Sequence, residues 1–180
     1  MASPRHIRPA DRPMSNRSPE PSGMREPRGS ASADKRSLRR TLELVFYVHI
    51  EMADLANQVL EQYSLGRPHH RALYFVVRRP GINVSELMSI LRITNQALSR
   101  TINQLVDMDL IEQRSSKQDR RHRCHFPTTK GINLDQRLTK RQFDHIDRSL
   151  AGVSKRDLEI FWDVLSHMVR EQDRPWISDL

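Results

Sequence analysis

The sequence predicts a mainly α-helical chain carrying one small β wing, and three observations predict it. Between residues 83 and 109 two cap residues, Asn83 and Thr94, each precede a run with apolar side chains at three and four spacing. Two short strand-like segments follow around an arginine-rich tip, Ile111 to Arg114 and Cys124 to Phe126, too short to hold a core of their own. Long apolar stripes of helical period flank this unit on both sides. Helix, tight turn, helix and basic two-stranded ribbon make a winged helix-turn-helix, and the N- and C-terminal helices are left to form a dimerisation domain.

Residues 1–36 open the chain as a basic arm. Six of the ten prolines fall there, among Arg and Ser and almost no large apolar side chains. Such a segment buries too little surface to offset the entropy of ordering, so it is expected to be disordered. An Arg- and Ser-rich, acid-poor start also suits an organelle transit peptide, but prolines at 4, 9, 13, 19, 21 and 27 break the amphipathic helix such a peptide needs. A DNA-touching arm, a neutral extension and a start at Met14 or Met24 stay open.

The domain proper spans residues 37–180. From Ser37 to Tyr63, Leu42, Val45, His49, Met52, Ala56, Val59 and Tyr63 share one face of a long helix. A second helix opens after Pro68 with His69 and His70. Asn83 caps the third, because its side chain accepts a first-turn amide while Glu86 reaches back to the Asn83 N–H. Leu87, Ile90 and Leu91 form the buried face of that helix, and Arg92 and Ile93 make the turn. Thr94 caps the fourth, which buries Leu98, Ile102, Leu105 and Val106 and ends near Asp109. Proline cannot donate to a strand ladder, so the second wing strand is expected to stop before Pro127. Leu134, Leu138 and Ile146 mark a helix after Gly131, and Ser154 caps a last one with Leu158, Phe161, Trp162, Leu165 and Met168 on one stripe. The reading head is thus 83–131, and the dimerisation helices are 37–66 and 131–175.

The fourth helix turns Asn95, Gln96, Ser99, Arg100 and Asn103 outward. Asn and Gln pair bidentately with adenine, Arg with guanine, and a hydroxyl near a helix start suits a phosphate oxygen. An ordinary solvated face is also polar, so the segment that follows decides. From Gln113 to Arg123 stand Arg114, Lys117, Arg120, Arg121 and Arg123 against Asp119, five cations to one acid and a local charge of +4. A charge run alone is usually a solvated loop; directly after a helix-turn-helix it is a footprint for a phosphate backbone.

These residues resemble the MarR family of bacterial transcription regulators. The motifs are NVSELMSIL from Asn83, TNQALSRTINQL from Thr94, the Asp119-Arg120-Arg121 tip and Thr128-Thr129-Lys130-Gly131. The turn LRIT and the upstream HHRALYFVVRRPG are similar to a PetP-like subset. The resemblance covers about residues 38 to 170. It implies major-groove contacts from Asn95, Gln96 and Arg100, phosphate contacts from Thr94 and Ser99, a minor-groove finger at Arg121, and Asp119 as support of the wing; Asn103, Lys117 and Arg120 complete the expected DNA surface. Three departures stand out. Arg92 occupies a turn position where many members carry Gly, so the backbone there must avoid positive φ or bear its cost. Arg123, His125 and Pro127 replace apolar strand residues, and Asn95 replaces a frequent Lys.

Charge agrees with a polyanionic partner, at +8 for 180 residues, although residues 1–40 alone carry ten cations and four acids. No apolar run approaches the ~20 residues of a membrane span and no secretory core is present, so a bacterial cytoplasmic, nucleoid-associated location is expected. The single cysteine, Cys124, cannot form an internal disulfide. A small buried hydrophobe is the expected role, with redox sensing the alternative. Metal binding by His122, Cys124 and His125 is not expected, because adjacent strand residues point to opposite faces. His49, His69 and His70 are candidates for a ligand pocket at the junction of arms and head, which the resemblance places between the first, second and fifth helices. A small aromatic or anionic effector would suit them; histidines satisfied within the core are the alternative. Nucleophile elbows, phosphate-cradling glycine loops and paired-carboxylate signatures are absent, so an enzyme is not expected, nor any cofactor. The expected function is a sequence-specific DNA-binding regulator, a ligand-responsive repressor that binds an inverted-repeat operator as a homodimer. A winged-helix module for protein interaction and a small hydrolase are the other classes; five cations on the wing favour DNA.

Overall fold

Asp34 opens the first helix by accepting the Ser37 N–H at 2.7 Å. In the computed structural model, which describes residues 33–115 and 123–177, that helix, α1, runs Lys35–Gln62. It is followed by α2 (Arg67–Arg78), β1 (Ile82–Asn83), α3 (Val84–Leu91), α4 (Asn95–Asp107), β2 (Ile111–Ser115), β3 (Arg123–Pro127), α5 (Thr129–Leu150), α6 (Lys155–Met168) and a 3-10 helix, Glu171–Trp176. The fold is mainly α with one antiparallel three-stranded sheet in the order β1-β3-β2, a winged helix-turn-helix between helical arms.

Local capping sets most of the boundaries. Asn83 Oδ1 accepts the Glu86 N–H at 3.0 Å while Glu86 Oε2 accepts the Asn83 N–H at 2.9 Å, the reciprocal box expected from sequence. Thr94 accepts the Ala97 N–H at 3.3 Å and Ser154 the Asp157 N–H at 3.2 Å. Between α3 and α4 the chain turns through Arg92 at φ 55° and ψ 45°. A side chain there bears the left-handed cost that glycine avoids.

The core joins the C-terminal part of α1 to the head. Leu60, Leu73, Val76, Leu87, Leu98, Leu105, Leu110, Ile111 and Leu138 are all essentially sealed from solvent. Truncating one such leucine to alanine costs about 2–5 kcal/mol. Of the stripe expected on α1, only Ala56 and Val59 are buried; Leu42 is 70% exposed and Val45 40%. Packing therefore begins two-thirds of the way along the helix, and its first half has no partner among the described residues. α6 likewise buries no residue.

Several expectations need correction. The two-residue β1 was not predicted; it pairs Ile82 with His125 and Asn83 with Cys124. Strand β3 runs through Pro127, paired with Ile111. The Thr128 N–H donates to the Leu110 carbonyl at 3.2 Å, so ladder bonds to β2 fall on alternate residues and skip Pro127, whose missing donor is not needed. Helix α5 starts before Gly131, because Thr128 is its cap and accepts the Gly131 N–H at 3.0 Å. A Cβ on Gly131 would lie 1.9 Å from the Leu110 carbonyl oxygen, so this glycine allows the helix start to seat on the β2 entrance. Finally, Cys124 is only half-buried, whereas His125 is wholly buried. Strand parity gives the inner face to Ile111, Gln113 and His125. Val106 and Ile90, expected inside, are half-buried at the rim of the core.

Candidate nucleic-acid interface

The polar face of α4 exists because its other face is committed. Leu98, Thr101, Ile102 and Leu105 are buried, which turns Asn95, Gln96, Ser99, Arg100 and Asn103 to solvent. Thr94 is exposed at the helix start, its hydroxyl oxygen engaged by the Ala97 amide. Ser99 donates to Asn95 Oδ1 at 3.2 Å, so Asn95 offers its NH2 group outward. Donors of three kinds (amide, guanidinium and hydroxyl) thus occupy the first turns of one exposed helix face.

Beside this face lies a groove of about 510 Å³ between α4 and the sheet. Asn95, Ser99 and Asn103 line one side, and Gln113 and Arg123 the other. Its base is His125, whose ring is bonded to the Ile82 carbonyl at 3.0 Å and to Gln113 Nε2 at 3.4 Å. Burial, first of all, holds this imidazole below the usual histidine range; the Ile82 bond opposes that and the Arg123 charge reinforces it. Sequence reading missed Gln113 and His125 as lining of this groove. Their signal was strand alternation with Ile111, which sets all three on one face.

Arg114 faces the other way, its guanidinium 4.5 Å from the Phe126 ring centre and paired with Glu112. The two described wing cations, Arg114 and Arg123, therefore lie on opposite faces of the ribbon. Lys117, Asp119, Arg120 and Arg121 lie outside the described residues.

The three histidines have different surroundings in the chain. His49 is exposed on α1, about 20 Å along the axis from the end of that helix at 1.5 Å per residue. His69 Nδ1 accepts the Gly66 N–H at 3.1 Å and so serves as a cap for α2. His70 turns inward, and its Nε2 is buried with no partner. Burial and then the Arg78 charge lower its pKa. Nearby in the fold, Arg78 bridges α2 to Asp135 of α5 at 3.0 Å, leaving the other carboxylate oxygen buried without a partner. Among the described residues no three His, Cys, Asp or Glu side chains converge as a metal site. No helix among them is long and apolar enough to cross a membrane.

The profile of one protein family, described as MarR family, matches residues 63–122. The chain is 36% identical over 132 residues to the HTH-type transcriptional regulator PetP of Rhodobacter capsulatus, covering 73% of this chain and 80% of that protein. Among solved structures it is similar to a MarR family regulator from Listeria monocytogenes complexed with a 26mer DNA. There the TM-score is 0.62 at 21% identity, over 71% of this chain and 85% of that one. It is also similar to apo MarR from E. coli, with TM-score 0.55 and 18% identity over 71% of this chain and 96% of the other.

Proposed function

The chain belongs to the MarR family of transcriptional regulators, and from that premise we propose that it is a homodimeric repressor that binds an inverted-repeat DNA site. The observation that carries the proposal is the exposed donor face of α4 next to a basic ribbon. In this reading α4 enters the major groove, with Asn95, Gln96, Arg100 and Asn103 at base edges and Thr94 and Ser99 at phosphates. The wing reaches the adjacent minor groove through Lys117, Arg120 and Arg121, with Asp119 supporting the tip. The Listeria relative with DNA supports the choice of partner.

Dimerisation is supported by the arms. Leu42, Phe46, Phe161, Trp162 and Leu165 are exposed on α1 and α6, large apolar side chains of the kind that mark an interaction surface when they cluster. A second copy covering these faces by twofold symmetry sets two α4 helices about 34 Å apart, one turn of DNA. Residues 37–66 and 131–175 are then the dimerisation helices and 83–131 the reading head; Asp34 to Arg36, expected in the N-terminal arm, belong instead to the capped start of α1.

Ligand response is supported by His70 Nε2, buried on α2 without a hydrogen-bond partner among the described residues. A small aromatic or anionic molecule bound there in one arm geometry shifts the population able to span two grooves. A mobility-shift assay with DNA from upstream of the protein's own gene, repeated with a panel of aromatic carboxylates, tests the whole reading. Retarded duplex released by a panel member is expected. A duplex never retarded overturns the DNA assignment; a retarded duplex indifferent to the panel overturns the effector assignment alone.

A further inference from the structure

A line of hydrogen bonds runs from the core to the DNA-side groove. The Ile82 carbonyl can only accept, so the hydrogen of the His125 ring lies on Nδ1, 3.0 Å away. Nε2 is then a bare acceptor, and it meets the Gln113 carboxamide nitrogen at 3.4 Å. With its NH2 group so engaged, Gln113 turns its oxygen toward Arg123, whose Nη1 donates to it at 3.3 Å. Each partner dictates the orientation of the next. The ring is wholly buried and unable to rotate away, so the order it imposes is fixed by packing.

The consequence falls on an exposed cation. Arg123 stands at the start of β3 and lines the groove opposite Ser99 and Asn103 of α4. A free arginine on a surface strand samples many rotamers and loses that freedom on contacting a phosphate. Here the guanidinium is already directed by a neutral acceptor, and among the described residues no carboxylate pairs with it. Arg114, by contrast, is paired with Glu112 on the opposite face.

We propose that Arg123 is a phosphate contact of the DNA interface and that Gln113 and His125 are its positioning residues, aligning it beside α4 through the Ile82–His125–Gln113 line. The proposal rests on the DNA-binding reading above. It adds a backbone contact from the strand stem of the wing to those of α4 and the wing tip.

The test is a salt titration of the full chain on its best duplex, followed by fluorescence anisotropy, for the parent and a set of variants. Arg123→Ala removes an exposed side chain, so the fold is retained. It should lower affinity about tenfold at moderate salt and reduce the slope of log K against log salt by about one. Gln113→Ala and His125→Leu should each lose about three- to tenfold, and His125→Gln, which returns a carboxamide oxygen to Gln113, should regain most of that loss. In the Arg123→Ala background, Gln113→Ala should have no further effect. An unchanged slope in Arg123→Ala, or a double variant that loses the full product of the single losses, overturns the proposal while leaving the regulator reading intact. A parent that binds no duplex overturns that reading and this proposal with it.

Discussion

Arg92, held in the left-handed region at the turn of the helix-turn-helix, is ion-paired with Asp173, which lies 81 residues further along in the C-terminal 3-10 helix. Asp173 also accepts from Arg170 at 3.0 Å, and these bonds lower its pKa, Arg170 contributing most. Next to it Arg79 donates to the Pro175 carbonyl at 2.7 Å and lies 4.9 Å from the Trp176 ring centre. The segment beyond α6 is thus fastened to the turn that sets the angle between α3 and α4.

Arg92→Gly removes an exposed, solvent-screened ion pair but relieves a left-handed backbone. Arg92→Ala removes the same pair and keeps the strain. The glycine variant should therefore be more stable than the alanine variant by about 1 kcal/mol in urea denaturation. Equal stability would mean that the turn is not strained.

Gly131→Ala should be destabilising by about 2 kcal/mol or more, since the new methyl meets the Leu110 carbonyl and neither backbone can yield without displacing Leu73. Gly152→Ala, at φ +82° in open space, should cost only about 1 kcal/mol. Denaturant midpoints that reverse this order would contradict the packing at the α5 start.

His70 and His125 both have pKa values lowered mainly by burial. Just below about pH 6.5 the unfolded chain therefore binds more protons than the native one. The stability these rings contribute is present above that pH and is lost as pH falls through their lowered native values. Asp135, raised by burial against the pull of Arg78, acts with the opposite sign, losing stability as pH rises from about 3.8. Comparing the parent with His125→Leu isolates the ring. The variant should show a smaller drop in melting temperature between about pH 7.5 and about pH 5. Parallel profiles would show that His125 does not titrate with unfolding.

Within the reading helix, Gln96→Ala or Arg100→Ala should cost about 1–3 kcal/mol on the best site and relax preference at one base pair. Arg121→Ala should instead weaken all sites evenly and flatten the salt slope by about one. A binding-site selection on each variant separates the two patterns; unchanged preference in both α4 variants would remove them from base recognition.

What could be read from sequence was the part encoded within four residues. Asn83 with Glu86, Thr94 and Ser154 are caps whose partners lie one turn away, so the starts of α3, α4 and α6 were legible before any tertiary contact was known. Two-residue β1 carries no period to detect, and its pairing with β3 spans more than forty residues. The inward turn of His125 and outward turn of Cys124 reverse the order that hydrophobicity alone suggests, because register is decided by the Ile111 pairing. Arg92 and Asp173 are joined only by folding. The surface of α4 was legible because its buried stripe was; the groove wall from Gln113 and Arg123 needed the sheet.

Competition binding of the full chain at about physiological salt, its operator-proximal duplex against random duplex of equal length, tests the central claim most directly. The account predicts at least about 10³-fold preference for the specific duplex, with two chains bound per site. Equal affinity for the two duplexes would contradict it.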